Sequence, residues 1–285
     1  MRVIFVPVAD RPECAHALRT AFDLGQQLGA NICGCHIRAH SRSEVALPSN
    51  LGSLADYDAA WAAAWIGKKT QKSSAAAKAL FGKVAERQGY EVIKRPGSTP
   101  GAMWLEKVGS PDKILSIMGP VADLIVVSRP SPNGGKLAQM FMQAALLNSA
   151  RPVLVLPQSG IPPIGKRISI AWNQSAEVAQ TVAAAMPLLR LADHVNILTC
   201  GPESGVGPKS TQLATYLRFW GIKAERTRAR DTDDGKAIVK GYKAAQSDLL
   251  LMGAYSRSRL RQRIFGGVTE FMLQRANIPV LMLHT

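Results

Sequence analysis

The chain has 285 residues, of which 47% are hydrophobic and 19% are charged, a composition typical of a globular protein and not of a disordered one. Its apolar runs stay shorter than about ten residues, so we expect no membrane span, and four scattered cysteines argue against a disulfide framework. With 35 basic and 20 acidic residues, the net charge of +15 favours contact with polyanions without choosing among nucleotides, nucleic acids and membrane surfaces.

The first ten residues predict a buried strand and not a secretion signal. The apolar stretch in MRVIFVPVAD is short, contains Pro7 and ends at Asp10, and no small-residue cleavage site follows. We therefore expect a cytoplasmic protein. A helix comes next, because Ala17, Ala21 and Leu24 recur at helical spacing.

The following strand, NICGCHI from Asn31, contains two cysteines and a histidine. Cys33 and Cys35 share one face of a strand while His36 points to the other face, and no second ligand pair follows. We therefore predict buried structural cysteines and no metal site. An alanine-rich helical insertion is expected over about residues 40–78.

The most informative feature is an internal repeat. DLIVV from Asp123 and PVLVL from Pro152 in the first half correspond to DLLLM from Asp248 and PVLML from Pro279 in the second. The openings IFVPVAD and SIAWNQS also align, and Pro187 is expected to kink the helix after the second opening. Short apolar runs that alternate with amphipathic helices predict a parallel sheet covered by helices on both faces.

The repeat predicts two domains of one design. We place domain 1 at residues 1–158 and domain 2 at residues 167–285, joined by a linker at 159–166 that is rich in proline and glycine. Each domain is expected to contain a five-stranded parallel sheet. The remaining strands are predicted near residues 90–94 and 222–228.

The loop after DLLLM is the first candidate for a ligand site, because ligands bind beyond the carboxyl ends of parallel strands. Gly266 and Gly267 at the start of a helix would expose backbone N–H groups to an anion. Ser256 and Thr269 add hydroxyl groups and Arg257 adds positive charge. The alternative is that the glycines serve only turns and packing and that the arginines form a solvated face. The loop is not a Walker A motif, because it lacks Gly-Lys-Ser/Thr.

Residues 252–283, MGAYSRSRLRQRIFGGVTEFMLQRANIPVLML, resemble the signature of universal stress proteins, whose nucleotide-binding members carry G-x2-G-x9-G-(S/T) before a helix and a final P-V-L strand. The resemblance implies an α/β fold of two tandem Rossmann-like domains of the adenine nucleotide alpha hydrolase type. It also implies ATP, with Mg²⁺, in a pocket between this loop and the end of the first strand. Regulation of a stress response is implied in place of defined catalysis.

The match departs from the family pattern at three positions. Gly253 and Gly266 fit, whereas Ser256 replaces the second glycine and Gly267 replaces the final serine or threonine. The family's adenine-contacting aspartate falls at Asn173, which presents a mixed donor and acceptor. The resemblance therefore assigns the following residues to a nucleotide site: Asn173, Gly253, Ser256, Arg257, Gly266, Gly267, Val268 and Thr269.

The first copy departs further. Ala9 takes the place of the aspartate, and Gln139 and Met140 stand where the second copy has Gly266 and Gly267. Side chains at those places would crowd phosphates. We expect the first copy to bind no ATP and to act as a scaffold or pseudo-dimer partner.

Three functions stay open. The first is a regulatory protein that binds an adenine nucleotide, as a homodimer or internal pseudo-dimer with unidentified protein partners. The second is an interaction scaffold of the same fold that binds no nucleotide. The third, polyanion binding to RNA, DNA or membrane, rests on the charge, but the basic loop lacks interleaved aromatic residues and no nucleic-acid module is recognised.

A dedicated enzyme is not expected. None of the five histidines adjoins a nucleophile-elbow motif. The carboxylates of Asp231, Asp233 and Asp234 are interpreted as an exposed acidic loop before the helix of residues 236–245, with a Mg²⁺ site as the alternative. Slow incidental ATP hydrolysis stays open.

Overall fold

The computed structural model of the chain describes residues 1–9, 11–38, 70–130, 136–158, 163–231, 233–254 and 267–284. The chain divides into two compact units, Arg2–Ser149 and Ala150–Thr285, and Met1 is grouped with the second. Most of the predicted insertion and the first half of the predicted linker, residues 159–162, lie outside the described residues.

The unit Arg2–Ser149 is built around a parallel sheet. Its described strands are β1 (Val3–Pro7), β2 (Asn31–Arg38), β3 (Val92–Ile93), β4 (Ala102–Val108) and β5 (Leu124–Ser128), in the order β3-β4-β2-β1-β5. Its described helices are α1 (Pro12–Leu28), α2 (Thr70–Arg87), α3 (Pro111–Met118) and α4 (Lys136–Asn148), with a 3-10 turn at Gly119–Val121. The apolar face predicted for the first helix packs inward, since Ala17, Ala21 and Leu24 are buried.

The position of the third strand in this unit differs from the prediction. The strand expected near residues 90–94 is only Val92–Ile93, and β4, which was not predicted, pairs with β2. Along β4 the residues pass from buried Ala102 to exposed Glu106, Lys107 and Val108. The strand therefore lacks the continuous apolar run that marks a buried parallel strand.

The unit Ala150–Thr285 contains five parallel strands and one antiparallel strand among its described residues. The strands are β6 (Val153–Leu156), β7 (Arg167–Ala171), β8 (His194–Cys200), β9 (Ala224–Ala229), β10 (Leu249–Gly253) and β11 (Val280–Leu283), in the order β6-β11-β10-β7-β8-β9. The helices are α5 (Ala176–Ala184), α6 (Met186–Leu189), α7 (Ser210–Phe219), α8 (Asp234–Ala244) and α9 (Gly267–Gln274). The break between α5 and α6 confirms the expected effect of Pro187.

β6 belongs to the compact unit Ala150–Thr285. Residues 153–155 pair antiparallel with residues 280–282 of β11, so the final strand of the first copy takes its hydrogen-bonding partner from the second unit. The two P-V-L strands of the repeat thus pair with each other within one chain. Because β11 lies between β6 and β10, neither of its edges is left for a strand of another chain.

The aspartates that precede the repeated strands β5 and β10 make the same kind of hydrogen bond in each unit. Oδ2 of Asp123 accepts hydrogen bonds from the backbone N–H groups of Arg2 and Val3, at 2.5 and 3.0 Å. The carboxylate of Asp248 accepts three such bonds from residues 165–167, at 2.8 to 3.0 Å. Each carboxylate therefore holds the beginning of the first strand of its copy of the repeat, β1 or β7, which accounts for its recurrence in the sequence.

The predicted burial of the strand cysteines is confirmed. Cys33 and Cys35 are 5% and 0% exposed, and burial raises their pKa values to about 11 and about 12, so both remain thiols at neutral pH. His36 is also buried, with its Nδ1 2.8 Å from the carbonyl oxygen of Val8. Within the described ranges, no group of three or more potential metal ligands occurs, and none of the helices there combines the length and hydropathy that a membrane crossing requires.

Candidate functional site

The second unit has a topological switch point at β7. This strand pairs with β8 on one side and β10 on the other. From β7 the chain moves outward to β8 and β9 and then returns to form β10 and β11 on the opposite side. In open α/β sheets, ligands bind in the crevice outside the carboxyl ends of strands at such a point.

A cavity of about 310 Å³ occupies this place. Its described lining consists of strand ends and the first turns of three helices: Ala171, Trp172, Asn173, Ser175, Glu177, Leu198, Cys200, Asp234, Ile238, Met252, Gly253, Ala254, Val268 and Thr269. The volume lies at the lower end of the range for small-molecule sites, about 300 to 1,000 Å³. Its walls combine apolar side chains with a few polar groups, as ligand sites do.

Three helices begin at the cavity, and two have side-chain caps. The Ser175 hydroxyl accepts a hydrogen bond from the Val178 N–H at 3.3 Å at the start of α5. The carboxylate of Asp233 accepts one from the Lys236 N–H at 2.9 Å at the start of α8. The third helix, α9, begins at Gly267. Helix N-termini carry partial positive charge, so all three favour a negatively charged group in the cavity.

Gly253 allows β10 to lie directly against the first turn of α5. A Cβ atom at this position would lie 2.8 Å from the Glu177 Cβ and 2.8 Å from the Val178 backbone nitrogen. Gly267 is different, because a Cβ there would meet no heavy atom of the described residues within 4 Å. The two positions therefore differ in whether the fold itself excludes a side chain. At Gly253 the fold requires glycine, and at Gly267 the fold leaves room for a side chain.

We expect Gly253→Ala to lower the free energy of unfolding by about 2 kcal/mol, because the new methyl group overpacks rigid backbone. Gly267→Ala is the matched control and should be neutral or stabilising by about 0.5 kcal/mol. Urea unfolding of the two variants measures both effects. Equal stability of the two variants would contradict the close approach at Gly253.

Asn173 lies just after the end of β7, and its side chain already makes one hydrogen bond. Its Oδ1 accepts a hydrogen bond from the Ser175 N–H at 3.2 Å, and the residue is exposed. Because an amide oxygen has two lone pairs, Asn173 can still present both an acceptor and its NH₂ donor to a ligand. A group that donates as well as accepts thus occupies the place where the resemblance implied an aspartate.

A loop over residues 201–209 is fixed against the end of β7 by two neighbouring side chains. Trp172, which is buried, donates its indole N–H to the carbonyl oxygen of Pro208 at 2.8 Å. Gln174, held at a φ of 62°, donates to the carbonyl oxygens of Gly205 and Gly207 and accepts from the Gly205 N–H. The wall of the cavity at Trp172 is therefore held in place by hydrogen bonds.

The charged groups in the described lining are carboxylates, Glu177 and Asp234. Burial, with the nearby Asp234 charge, raises the pKa of Cys200, which keeps it a thiol at neutral pH. Beside the cavity, burial lowers the pKa of His284, opposed by a hydrogen bond with the Ala254 backbone and by the charge of Glu177. In the described lining, attraction for an anion therefore comes from helix N-termini and backbone N–H groups and not from basic side chains.

Four of the eight residues assigned from the sequence line the cavity: Asn173, Gly253, Val268 and Thr269. Gly267 begins α9 beside two of them. Ser256, Arg257 and Gly266 lie outside the described residues.

Sequence reasoning missed the wall formed by Leu198 and Cys200 at the end of β8 and by Asp234 and Ile238 at the start of α8. The rule that ligands gather at the carboxyl ends of strands would have pointed to β8. The three aspartates at residues 231–234 are exposed, as predicted, and α8 begins two residues earlier than expected.

The corresponding place in the first unit is nearly filled. The cavity at the carboxyl ends of β1 and β5 has a volume of about 30 Å³, enough for about one water molecule. Phe141 of α4 lines it, and the neighbouring Met140 is buried. The Ser128 hydroxyl, at the end of β5, donates to the carbonyl oxygen of Glu13 at 3.0 Å and ties β5 to the first turn of α1.

Comparison with known proteins identifies relatives of both the sequence and the fold. Residues 124–284, more than half of the chain, match the model of the universal stress protein family. Comparison with curated protein sequences gave no match.

Three solved structures resemble nearly the whole chain. A universal stress protein from Archaeoglobus fulgidus DSM 4304 is 14% identical with a TM-score of 0.68, and the match covers 99% of this chain and 97% of that one. A putative universal stress protein from Pseudomonas aeruginosa UCBPP-PA14 is 17% identical with a TM-score of 0.57, covering 99% and 93%. A functionally unknown protein from Pseudomonas aeruginosa PAO1 is 15% identical with a TM-score of 0.55, covering 99% and 92%. At these identities the likeness concerns the fold.

Proposed function

Because the chain belongs to the universal stress protein family, we propose that it is a tandem of two such domains that regulates a stress response by binding an adenine nucleotide, ATP, in its second unit. Membership of the family supports the stress-response role. The observation that carries the nucleotide proposal is the cavity of about 310 Å³ at the switch point, where three helices begin. A site of this kind suits a ligand with an apolar ring system and a negatively charged tail.

The two ends of the cavity suit the two ends of a nucleotide. Leu198, Ile238 and Val268 offer apolar surface to a base. Gly267, at the first position of α9, has no side chain, and no atom of the described residues lies within 4 Å of where its Cβ would be, which suits close approach of a phosphate oxygen to the backbone.

Mg²⁺ would enter this site with the phosphates. Magnesium in nucleotide sites is held by one or two carboxylates together with phosphate oxygens, and Glu177 and Asp234 are carboxylates in the cavity wall. The described residues offer no group of three potential ligands that would hold the ion without the nucleotide. Bound Mg²⁺ would neutralise phosphate charge that these two carboxylates otherwise repel.

We assign no nucleotide to the first unit, since its corresponding cavity of about 30 Å³ cannot admit a base. This unit would then act as a scaffold beside the binding unit. A homodimer and a cytoplasmic location stay predictions. For the dimer, the pairing of β11 with both β6 and β10 requires contacts other than addition of a strand to β11.

Dedicated catalysis is not part of the proposal. Of the hydroxyl and thiol groups in the described lining, two are already committed or unreactive. The Ser175 hydroxyl caps α5, and Cys200 is held as a thiol. No histidine belongs to the described lining, so a nucleophile there has no imidazole base beside it.

The proposal is tested on the full chain by mass spectrometry of ligand released from freshly purified protein, followed by calorimetric titration with MgATP. We expect released adenine nucleotide or a measurable heat of binding. Absence of both would exclude nucleotide binding and leave the scaffold of the same fold as the function.

Gly267→Val is expected to weaken MgATP binding about fivefold without loss of stability, because its methyl groups would occupy the space in which a phosphate approaches the backbone. The expectation for Gly266→Val has the same reason. Gly82→Val, at a position of α2 that also has no atom within 4 Å of a Cβ, is the control and should leave the affinity unchanged. Unchanged affinity in Gly267→Val would show that phosphates do not lie at the start of α9.

A further inference from the structure

The edge of the second unit formed by α7 and β9 exposes three large aromatic side chains. Phe219 is 85% exposed, Trp220 46% and Tyr216 42%. β9 is the last strand in the order and pairs with β8. Contiguous exposed apolar patches mark interaction surfaces, whereas single exposed apolar residues are ordinary.

The same segment is strongly basic. Residues 209–231 contain six basic and two acidic residues, a net charge of +4. Arg226, Arg228 and Arg230 are exposed, and none of them forms an ion pair with another residue in the described part of the chain. Their guanidinium groups are therefore available to an external anion.

Strand geometry places Arg226 and Arg228 on the α7 side of the sheet. Gly241 of α8 packs so closely on Leu198 of β8 that a Cβ atom there would lie 2.5 Å from the Leu198 Cδ1. Right-handed crossovers, outward from β8 to β9 and back to β10, put α7 on the opposite side from α8. Ile197, the neighbour of Leu198, therefore faces α7, and so do its partner Arg226 and, two residues on, Arg228.

We propose that this surface binds single-stranded nucleic acid without sequence preference. The α7–β9 surface is defined by three aromatic and three basic residues: Tyr216, Phe219, Trp220, Arg226, Arg228 and Arg230. Aromatic rings stack on bases of any type, and arginines pair with phosphates. Arg226 and Arg228 are two strand residues apart, about 6.6 Å, a separation similar to that of successive phosphates in an extended strand. A duplex hides the faces of its bases, so the aromatic residues favour a single strand.

Two other occupants fit less well. A second copy of this chain, with its net charge of +15, would place like charges against the arginines. An anionic membrane would require a continuous apolar stripe on α7. The outward groove of α7 instead has Thr211, Gln212 and Thr215 beside Tyr216 and Phe219. Hydroxyl and amide groups between aromatic rings suit nucleobases better than acyl chains.

The test is fluorescence anisotropy of a labelled oligouridine dodecamer with the full chain, over salt concentrations from about 50 to 200 mM. The triple variant R226Q/R228Q/R230Q is expected to bind about tenfold more weakly at low salt. Its slope of log affinity against log salt should fall by about 2, which corresponds to three lost phosphate contacts on a single strand.

The double variant F219A/W220A separates stacking from charge. It should also bind about tenfold more weakly, but with the salt slope of the unaltered protein. R87Q/K94Q/R95Q removes the same charge at exposed positions of the first unit and serves as the control, with no expected change in affinity or slope. MgATP affinity should stay the same in all three variants, so failure here is distinguishable from failure of the nucleotide site.

Several results would overturn the proposal. An equal loss of affinity in R87Q/K94Q/R95Q would mean that net charge alone attracts the oligonucleotide. Loss of binding only in R257Q/R259Q/R261Q would move the interaction to the arginine-rich loop. Binding to phosphatidylserine vesicles that is stronger than binding to the dodecamer, and lost in F219A/W220A, would identify a membrane surface instead.

Discussion

Asp248→Ala is expected to lower the free energy of unfolding of the second unit by about 3 kcal/mol. The carboxylate accepts three backbone N–H groups at the beginning of β7, and removing it leaves three donors without their charged acceptor. These donors lie directly before the central strand of the unit, so the loss acts on the element that also forms the candidate site. Urea unfolding, followed by hydrogen exchange of residues 165–171, measures the change where it should occur.

Two further variants sharpen this test. Asp248→Asn keeps one carbonyl oxygen and should lose about half as much stability. Asp233→Ala removes an aspartate that accepts a single backbone N–H at the start of α8, and a cap of this kind contributes about 1 kcal/mol. A cost for Asp248→Ala no larger than that for Asp233→Ala would show that the three hydrogen bonds do not act together.

The strands that could be predicted from the sequence are those with continuous apolar runs. β5 and β10 begin after the repeated aspartate, and β6 and β11 begin after the repeated proline. All four are buried along most of their length, so the hydrophobic effect selects apolar residues at almost every position. The repeat added information because two similar runs at a similar spacing are unlikely to arise without a shared structure.

β4 could not be predicted for the opposite reason. Its sequence AMWLEKV becomes polar toward its exposed end and is held by pairing with β2, a partner more than sixty residues away. The pairing of β6 with β11 is equally non-local, since residue 155 pairs with residue 280. Local patterns indicate that a segment is a strand, whereas the identity of its partner depends on the rest of the fold.

The candidate site was predictable where it rests on consecutive residues. The family signature spans the end of β10 and the start of α9, and it identified Gly253, Val268 and Thr269. Leu198 and Ile238 were missed because each is an ordinary apolar residue in its own segment. Only the parallel arrangement of β7, β8 and β10 brings their strand ends and helix starts together.

The distinction between Gly253 and Gly267 also lay beyond the sequence. Both glycines fall in the family signature region, yet a side chain at Gly253 would collide with α5, while one at Gly267 would meet no atom of the described part of the chain within 4 Å of its Cβ. A motif alone does not separate a glycine required by packing from one that leaves a backbone N–H open to a ligand. Because a side chain at Gly267 does not disturb the packing, a substitution there can test ligand binding without a change in stability.

Asn173→Asp is expected to change the preference for ATP over GTP by about 30-fold in favour of ATP. In the unaltered protein the Asn173 Oδ1 already accepts the Ser175 N–H, so we expect the amide NH₂ to be the group that meets a base. That donor opposes the 6-amino group of adenine but suits the 6-oxo group of guanine. An aspartate keeps the bond from Ser175 and adds a second acceptor, which suits adenine and repels the guanine oxygen.

Calorimetric titration of both proteins with MgATP and MgGTP measures this ratio, and the comparison cancels any general effect of the added charge on phosphates. Glu270→Gln, in the first turn of α9 and outside the described cavity lining, changes charge near the same helix start and should shift both affinities together. A ratio that stays constant in Asn173→Asp, with both nucleotides bound, would place the base away from the end of β7. A ratio that changes as expected would mean that a single amide at the carboxyl end of the central strand limits how well this domain recognises adenine. The start of α9, where we propose that the phosphates bind, is the same in the two proteins.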